Sequence, residues 1–141
     1  MIRAGVIGAI GYAGRELIRL LGIHPQAELS AAVELEAGKH VGDVMPALDK
    51  TTHVVLETFD AQQLAQKCDV VFMALHGGIA MDMVPPLRKA GVKVIDMGPD
   101  FRLKNTAEFK QYYGMDHRVP ELLDEAVYGL APYYRDAIAR T

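Results

Sequence analysis

The sequence predicts an α/β fold, a doubly wound parallel sheet with helices on both faces. Three observations point there. Apolar runs of strand length alternate with helical patterns along the first two-thirds of the chain. Runs such as DVVFMAL (69–75) and VKVIDM (92–97) are almost continuously apolar, as strands buried on both faces must be. And a glycine-spaced turn joins the first strand directly to the first helix, in GVIGAIGYAGRELIRLL from Gly5 to Leu21.

Taken in order, the first strand is Ile2–Ile7, followed by a helix over Tyr12–Leu21. Ala13, Leu17, Leu20 and Leu21 form its apolar stripe, with Arg15, Glu16 and Arg19 on the outer side. Gly22 offers a left-handed stop and Pro25 prevents continuation. Further strands are expected at Glu28–Val33, Thr52–Glu57, Val70–Leu75 and Val92–Asp96. Helices are expected at Ala61–Lys67 and Ala80–Ala90. Beyond Asp96 the pattern changes to a turn-rich loop, MGPDFRLKN. Short helical segments then follow at Ala107–Tyr112 and Glu121–Glu125, with a last helix in YYRDAIART. No repeat, low-complexity tract or linker divides the chain, so residues 1–141 read as one domain.

The glycines have a physical purpose. A strand that turns at once into a helix aims the helix's unpaired N–H groups and its positive dipole end at the turn, where an anion is stabilised. Gly8, Gly11 and Gly14 let the backbone turn, let a pyrophosphate approach and let helix and strand pack closely. Their spacing is G-x-x-G-x-x-G rather than the commoner G-x-G-x-x-G, and tight packing alone is the competing explanation. The position between strand and helix favours a nucleotide held by Gly8, Ala9, Ile10, Gly11, Tyr12, Ala13 and Gly14. A second turn, ALHGGIAMD, follows the fourth strand and should meet the first at the carboxyl edge of the sheet. It brings Leu75, His76 and Gly77 to the ligand, unless it is a simple strand–helix connection.

Composition excludes several classes. Formal net charge is −3 with no basic stripe, which argues against nucleic acid as a partner. No apolar run approaches the ~20 residues of a membrane span, and no signal peptide is visible, so a cytoplasmic protein is expected. The five histidines show no ligand spacing, so no metal is expected. The single cysteine, Cys68, enters an apolar strand at the end of a helix, where it reads as a small structural hydrophobe rather than a reactive thiolate.

Several stretches carry a resemblance. GAIGYAGRELIRLLGIHPQAEL, DVVFMALHGG, VIDMGPDFRLKN and YYGMDHRVPELLDEAVYGLAPYYRDAI together resemble the N-acetyl-γ-glutamyl-phosphate reductases of arginine biosynthesis, and the likeness covers essentially the whole chain. The last two stretches separate that family from the aspartate-semialdehyde dehydrogenases. The resemblance implies a Rossmann-like domain that binds NADP, followed in the family by a catalytic and dimerisation domain. There a cysteine thiolate, in an NPGCY-like segment, attacks N-acetyl-glutamyl phosphate and hydride transfer releases the aldehyde. No such segment occurs in these 141 residues. The chain is therefore expected to be the cofactor-binding part, truncated before the catalytic domain. It contains no catalytic residue and is inactive alone, with an uncovered sheet edge that favours homo-oligomers. The alternative is a free-standing nucleotide-binding or regulatory module.

The choice of cofactor divides the evidence of the residues from that of the resemblance. Glu34 lies twenty positions after Gly14, where a carboxylate accepts the ribose hydroxyls of NAD and repels the extra phosphate of NADP. Related reductases commonly place a serine–arginine pair there; this chain has Val33 and Glu34, with Lys39 as the nearby cation. NADP is the expected cofactor, with Glu34 rotating away and Lys39 reaching back to the phosphate; NAD is the alternative that Glu34 leaves open. Arg102, in the DFR stretch, either steers a phosphorylated substrate or pairs with Asp100 to pin its loop. Tyr112, Tyr113 and Tyr128 are expected to pack, and His117 to belong to a loop.

Overall fold

A computed structural model describes residues 1–50 and 52–141. Five strands form one sheet: β1 (Ile2–Ile7), β2 (Ala27–Val33), β3 (Leu56–Glu57), β4 (Val70–Met73) and β5 (Lys93–Asp96). Their order is β3-β2-β1-β4-β5 and every pairing is parallel. The winding reverses beside β1, which neighbours both β2 and β4. This is the doubly wound fold the sequence predicts, with crossover helices α1 (Tyr12–Gly22), α3 (Ala61–Lys67) and α4 (Ala80–Lys89).

Because side chains alternate across a strand, each face of the sheet builds its own core. Ile7, Val33, Val71 and Met73 point to one face and are covered by Leu64 of α3 and by Val84 and Leu87 of α4. Ala4, Val6 and Ala32 point to the other, under Ile18 and Leu21 of α1 and under Val41, Met45 and Leu48. Val41 lies in a short helix α2 (Val41–Val44), Leu48 in a 3-10 turn (Pro46–Leu48) and Met45 at the junction between them, elements without a periodic signal in the sequence. At the amino ends of the strands Arg3 clasps Asp69 at 2.7 Å. The hydrogen bonds from Arg3 hold that carboxyl down at about 2.

Several expected elements shift. The buried face of α1 runs through Gly14, Ile18 and Leu21, while Leu20 is half-exposed and Ala13 lies at the surface. Two stripes compete on this helix, and the residue lacking a Cβ is the one that approaches the sheet turn most closely. Gly22 does not adopt a left-handed conformation. The helix instead ends by tightening, with Ile23 N–H donating to Leu20 O and His24 N–H to Leu21 O. The third strand contracts to two residues, since only Leu56 and Glu57 find partners on β2, while Val55 bridges back to His40. Glu121–Glu125 forms no helix, giving way to a 3-10 turn at Pro120–Leu122.

In the last third, α5 (Thr106–Tyr113) is capped by Asn105, whose Oδ1 accepts the N–H groups of Ala107 and Glu108. Phe109 is buried and stacks at 5.0 Å on Tyr113, whereas Tyr112 stays exposed rather than packing. The final helix α6 (Ala131–Ile138) buries none of its residues. It borders a cleft of about 880 Å³ along β5, whose outer edge is unpaired among the described residues.

Candidate functional site

The carboxyl ends of β1 and β4 are adjacent, and the turns leaving them touch. Gly8 has φ +81°, and a Cβ there would stand 2.4 Å from the carbonyl oxygen of Ala74. Only glycine satisfies both demands. Its N–H donates to Val33 O at 3.0 Å, so the turn is also anchored to the end of β2. Gly14 faces inward from the first turn of α1, where a Cβ would fall 2.1 Å from Gly8 O and 2.8 Å from Ala9 O. These two glycines serve the backbone's own packing.

Gly11 differs. It is the N-cap of α1 in ordinary extended geometry, and an added Cβ would meet nothing nearer than Gly8 O at 3.5 Å. No side chain caps this helix end, and its first turn holds no acidic residue. The N–H groups of Tyr12, Ala13 and Gly14 precede the first intrahelical acceptor, which Arg15 N–H finds in Gly11 O at 2.9 Å. The result is a set of donors without partners among the described residues, at a positive dipole end, with the Tyr12 side chain almost fully in solvent.

Charged side chains frame this surface from two directions. Glu34, just past β2, accepts the N–H of Ile10 at 2.8 Å. Arg15 folds back from α1 so that its Nε donates to the carbonyl of the same Ile10 at 2.7 Å. Sequence reasoning assigned Arg15 to the outer face, although a cation in the first turn of a helix is itself a signal. Val33 contributes its carbonyl, while its side chain is buried in the core. Lys39 does not reach back toward the turn; its ammonium stands 3.5 Å from Glu36, both at the surface.

Opposite lies the turn after β4, with Leu75 half-buried and His76 exposed. Here side chains hold the backbone. Asp100, buried completely, accepts the N–H of Gly78 with both oxygens, at 2.7 and 2.9 Å. Arg118 donates to Gly78 O at 2.6 Å and clasps Asp82 at 2.8 Å. His117 accepts the Val119 N–H at Nδ1, which places its proton on Nε2, 2.8 Å from Asp100 O. Neither Asp100 nor Arg118 was legible as a partner of this turn. Nor does Asp100 pair with Arg102, which lies 3.4 Å from Gly98 O.

Two acidic or thiol groups are excluded from simple roles by their surroundings. Cys68 is buried, and desolvation together with the Glu57 charge pushes its thiol up to about 11, the opposite of a primed nucleophile. Asp96, at the end of β5, is raised by burial; one oxygen accepts the Gly98 N–H at 2.8 Å and the other is buried without a partner. Among the described residues no His, Cys, Asp and Glu group is arranged to hold a metal ion. No helix there is long and apolar enough to cross a membrane.

The architecture recurs in known proteins. The structure superimposes on aspartate semialdehyde dehydrogenase from Candida albicans, solved with NADP, with a TM-score of 0.64 and 23% identity, covering 83% of this chain and 40% of that one. It also superimposes on scyllo-inositol dehydrogenase from Lactobacillus casei, solved with NAD(H) and scyllo-inositol. There the TM-score is 0.55 and identity 20%, over 82% of this chain and 34% of that one. At such identities these matches establish the fold alone. Sequence relatives are nearer. The N-acetyl-γ-glutamyl-phosphate reductase of Halorhodospira halophila is 46% identical over 139 residues, which is 98% of this chain and 40% of the relative. That of Laribacter hongkongensis is 47% identical over 139 residues, again 98% and 40%. The chain thus spans about 40% of the length of the curated relatives it matches. Residues 3–141 match the family model described as semialdehyde dehydrogenase, NAD binding domain. With its glycine turn, parallel sheet and reductase relatives, the chain belongs to the semialdehyde dehydrogenase NAD-binding domain family.

Proposed function

We propose that residues 1–141 form the dinucleotide-binding domain of an N-acetyl-γ-glutamyl-phosphate reductase. One observation carries the reading: the uncapped N-terminus of α1 is exposed at Gly11, beside the place where the turns after β1 and β4 meet. The residues fit a dinucleotide. The turn from Gly8 to Gly14 supplies N–H groups for a pyrophosphate, and Glu34 stands where ribose hydroxyls are accepted. Leu75, His76 and Gly77 border the nicotinamide end. Bound there, a nicotinamide supplies or accepts a hydride, here at the acyl carbon of N-acetyl-glutamyl phosphate. Arg102, at the carboxyl edge beyond β5, is left to meet the anionic end of that substrate. The nucleophilic thiol belongs to another part of the enzyme, since Cys68 lies sealed between β-sheet and helix.

Between the two cofactors, the geometry supports NAD. The expectation of NADP required Glu34 to turn away and Lys39 to reach the ribose. Instead Glu34 is fastened to the Ile10 N–H and Lys39 to Glu36. A 2′-phosphate would face the Glu34 carboxylate at short range without Lys39 beside it. Titration of the chain with NADH and with NADPH, followed by nucleotide fluorescence, tests both statements. Tighter NADH binding, with a gap narrowed by Glu34→Ala, is the expected result. Tighter NADPH binding that ignores Glu34→Ala overturns the NAD assignment, and failure of both cofactors to bind overturns the domain assignment.

A further inference from the structure

Arg15 stands where a helix tolerates a cation least. The first turn of α1 already carries the positive end of the helix dipole, so a guanidinium there is unfavourable unless an anion joins it. Among the described residues seven of the fifteen Lys and Arg side chains have a carboxylate within ion-pair distance, and Arg15, at the one place where the helix dipole most calls for an anion, is among the eight that do not. Its Nε is instead spent on Ile10 O at 2.7 Å, a bond that draws the side chain back over the glycine turn. That bond leaves both terminal amino groups of the guanidinium to other partners. Glu34, on the N–H of the same residue, reaches the turn from β2.

We propose that Arg15 is a phosphate-binding residue, closing over the pyrophosphate seated on the N–H groups of Tyr12 to Gly14. The inference rests on the reading that the glycine turn holds a dinucleotide. A planar fork suits two-point binding of phosphate oxygens, and the Nε bond orients it before the ligand arrives. The anion completes an arrangement that otherwise sets a guanidinium beside a positive dipole end. Arg15 extends from the helix side and Glu34 from the ribose side, so their duties separate. Arg15 strengthens NAD and NADP alike, because both carry the pyrophosphate, while Glu34 discriminates between them.

Calorimetric titration of wild type, Arg15→Gln and Arg15→Lys with NADH, NADPH, ADP and adenosine tests the assignment at low and high salt. The site is solvent-facing and partly screened, so Arg15→Gln should weaken NADH, NADPH and ADP by about tenfold rather than a thousandfold. Adenosine should bind unchanged, the loss should shrink at high salt, and Arg15→Lys should recover part of the ADP affinity. Thermal unfolding checks that the variants fold. If Arg15→Gln lowers Tm, the lysine variant decides through that partial recovery, which a purely structural tether to Ile10 would not show. Equal ADP affinity in wild type and Arg15→Gln overturns the proposal, as does a loss confined to NADPH, which would place the guanidinium at the 2′-phosphate. A wild-type chain that binds no dinucleotide overturns the underlying site reading and this inference with it.

Discussion

The turns after β1 and β4 lie side by side at the carboxyl edge of the sheet, yet they are held in opposite ways. The first is shaped chiefly by backbone contacts, and the side chains of Glu34 and Arg15 reach it only at Ile10. Gly8 sits against Ala74 and under Val33, Gly14 packs against Gly8, and the N–H groups of the helix start are left open. The second is held by side chains from elsewhere, with Asp100 on the N–H of Gly78 and Arg118 on its carbonyl. A turn built from backbone contacts keeps its donors free for a ligand and needs no reorganisation to receive one. A turn tied by side chains has its polar groups already satisfied, and can border a ligand without gripping it.

The sharpest way to break this contrast is Gly14→Ala. In an open helix that change would stabilise by about 1 kcal/mol. Here the new Cβ would stand 2.1 Å from Gly8 O and 2.8 Å from Ala9 O, both backbone atoms with little freedom to yield. Overpacking against such neighbours costs about 3 kcal/mol, so chemical denaturation should show a net loss of about that size. A stabilised variant would mean that the helix does not rest on the turn.

The second turn breaks through a residue 22 positions away. Asp100→Ala removes the acceptor of the Gly78 N–H and opens space in a fully buried site. The unmade bond should cost about 1–3 kcal/mol in urea unfolding. Asp100→Asn keeps one acceptor oxygen and relieves a buried charge, so it should lie closer to wild type. If alanine and asparagine are equally mild, Gly78 is held by its own conformation and the contrast between the two turns dissolves.

The same contrast explains what could be read from the sequence. The first turn is local: strand, glycines and helix follow one another within 21 residues, and Glu34 follows at a recognisable spacing. Every backbone contact that shapes it is implied by the missing side chains. The second turn depends on Asp100 and Arg118, which reach Gly78 across 22 and 40 residues, and no periodicity encodes such meetings. Edges were misread for a related reason. Residues 52–57 hold a β-branched apolar run that reads as a strand, but β2 offers partners only to Leu56 and Glu57. On α1 the hydrophobic pattern permitted two faces, and the close approach of Gly14 decided between them. Arg15 was visible as a cation at a helix start, but its turn back onto Ile10 is tertiary geometry.

The mildest change to the fold falls on the glycine between the two structural ones. Gly11 has φ −66° and ψ 165°, a conformation open to any residue, and its Cβ position is in ordinary contact at 3.5 Å. Gly11→Ala therefore gains from a less flexible unfolded chain about what it loses as a poorer N-cap, each under about 1 kcal/mol. Tm should hardly move. The added methyl nevertheless projects into the space through which a pyrophosphate must approach the N–H groups of Tyr12 and Ala13, so NADH affinity should fall at least about tenfold. Set beside Gly14→Ala, the variant separates a glycine kept for folding from one kept for binding. Stability and affinity falling together at Gly11 would show instead that all three glycines serve one packing purpose. The open helix end would then be a by-product of how the turn is made.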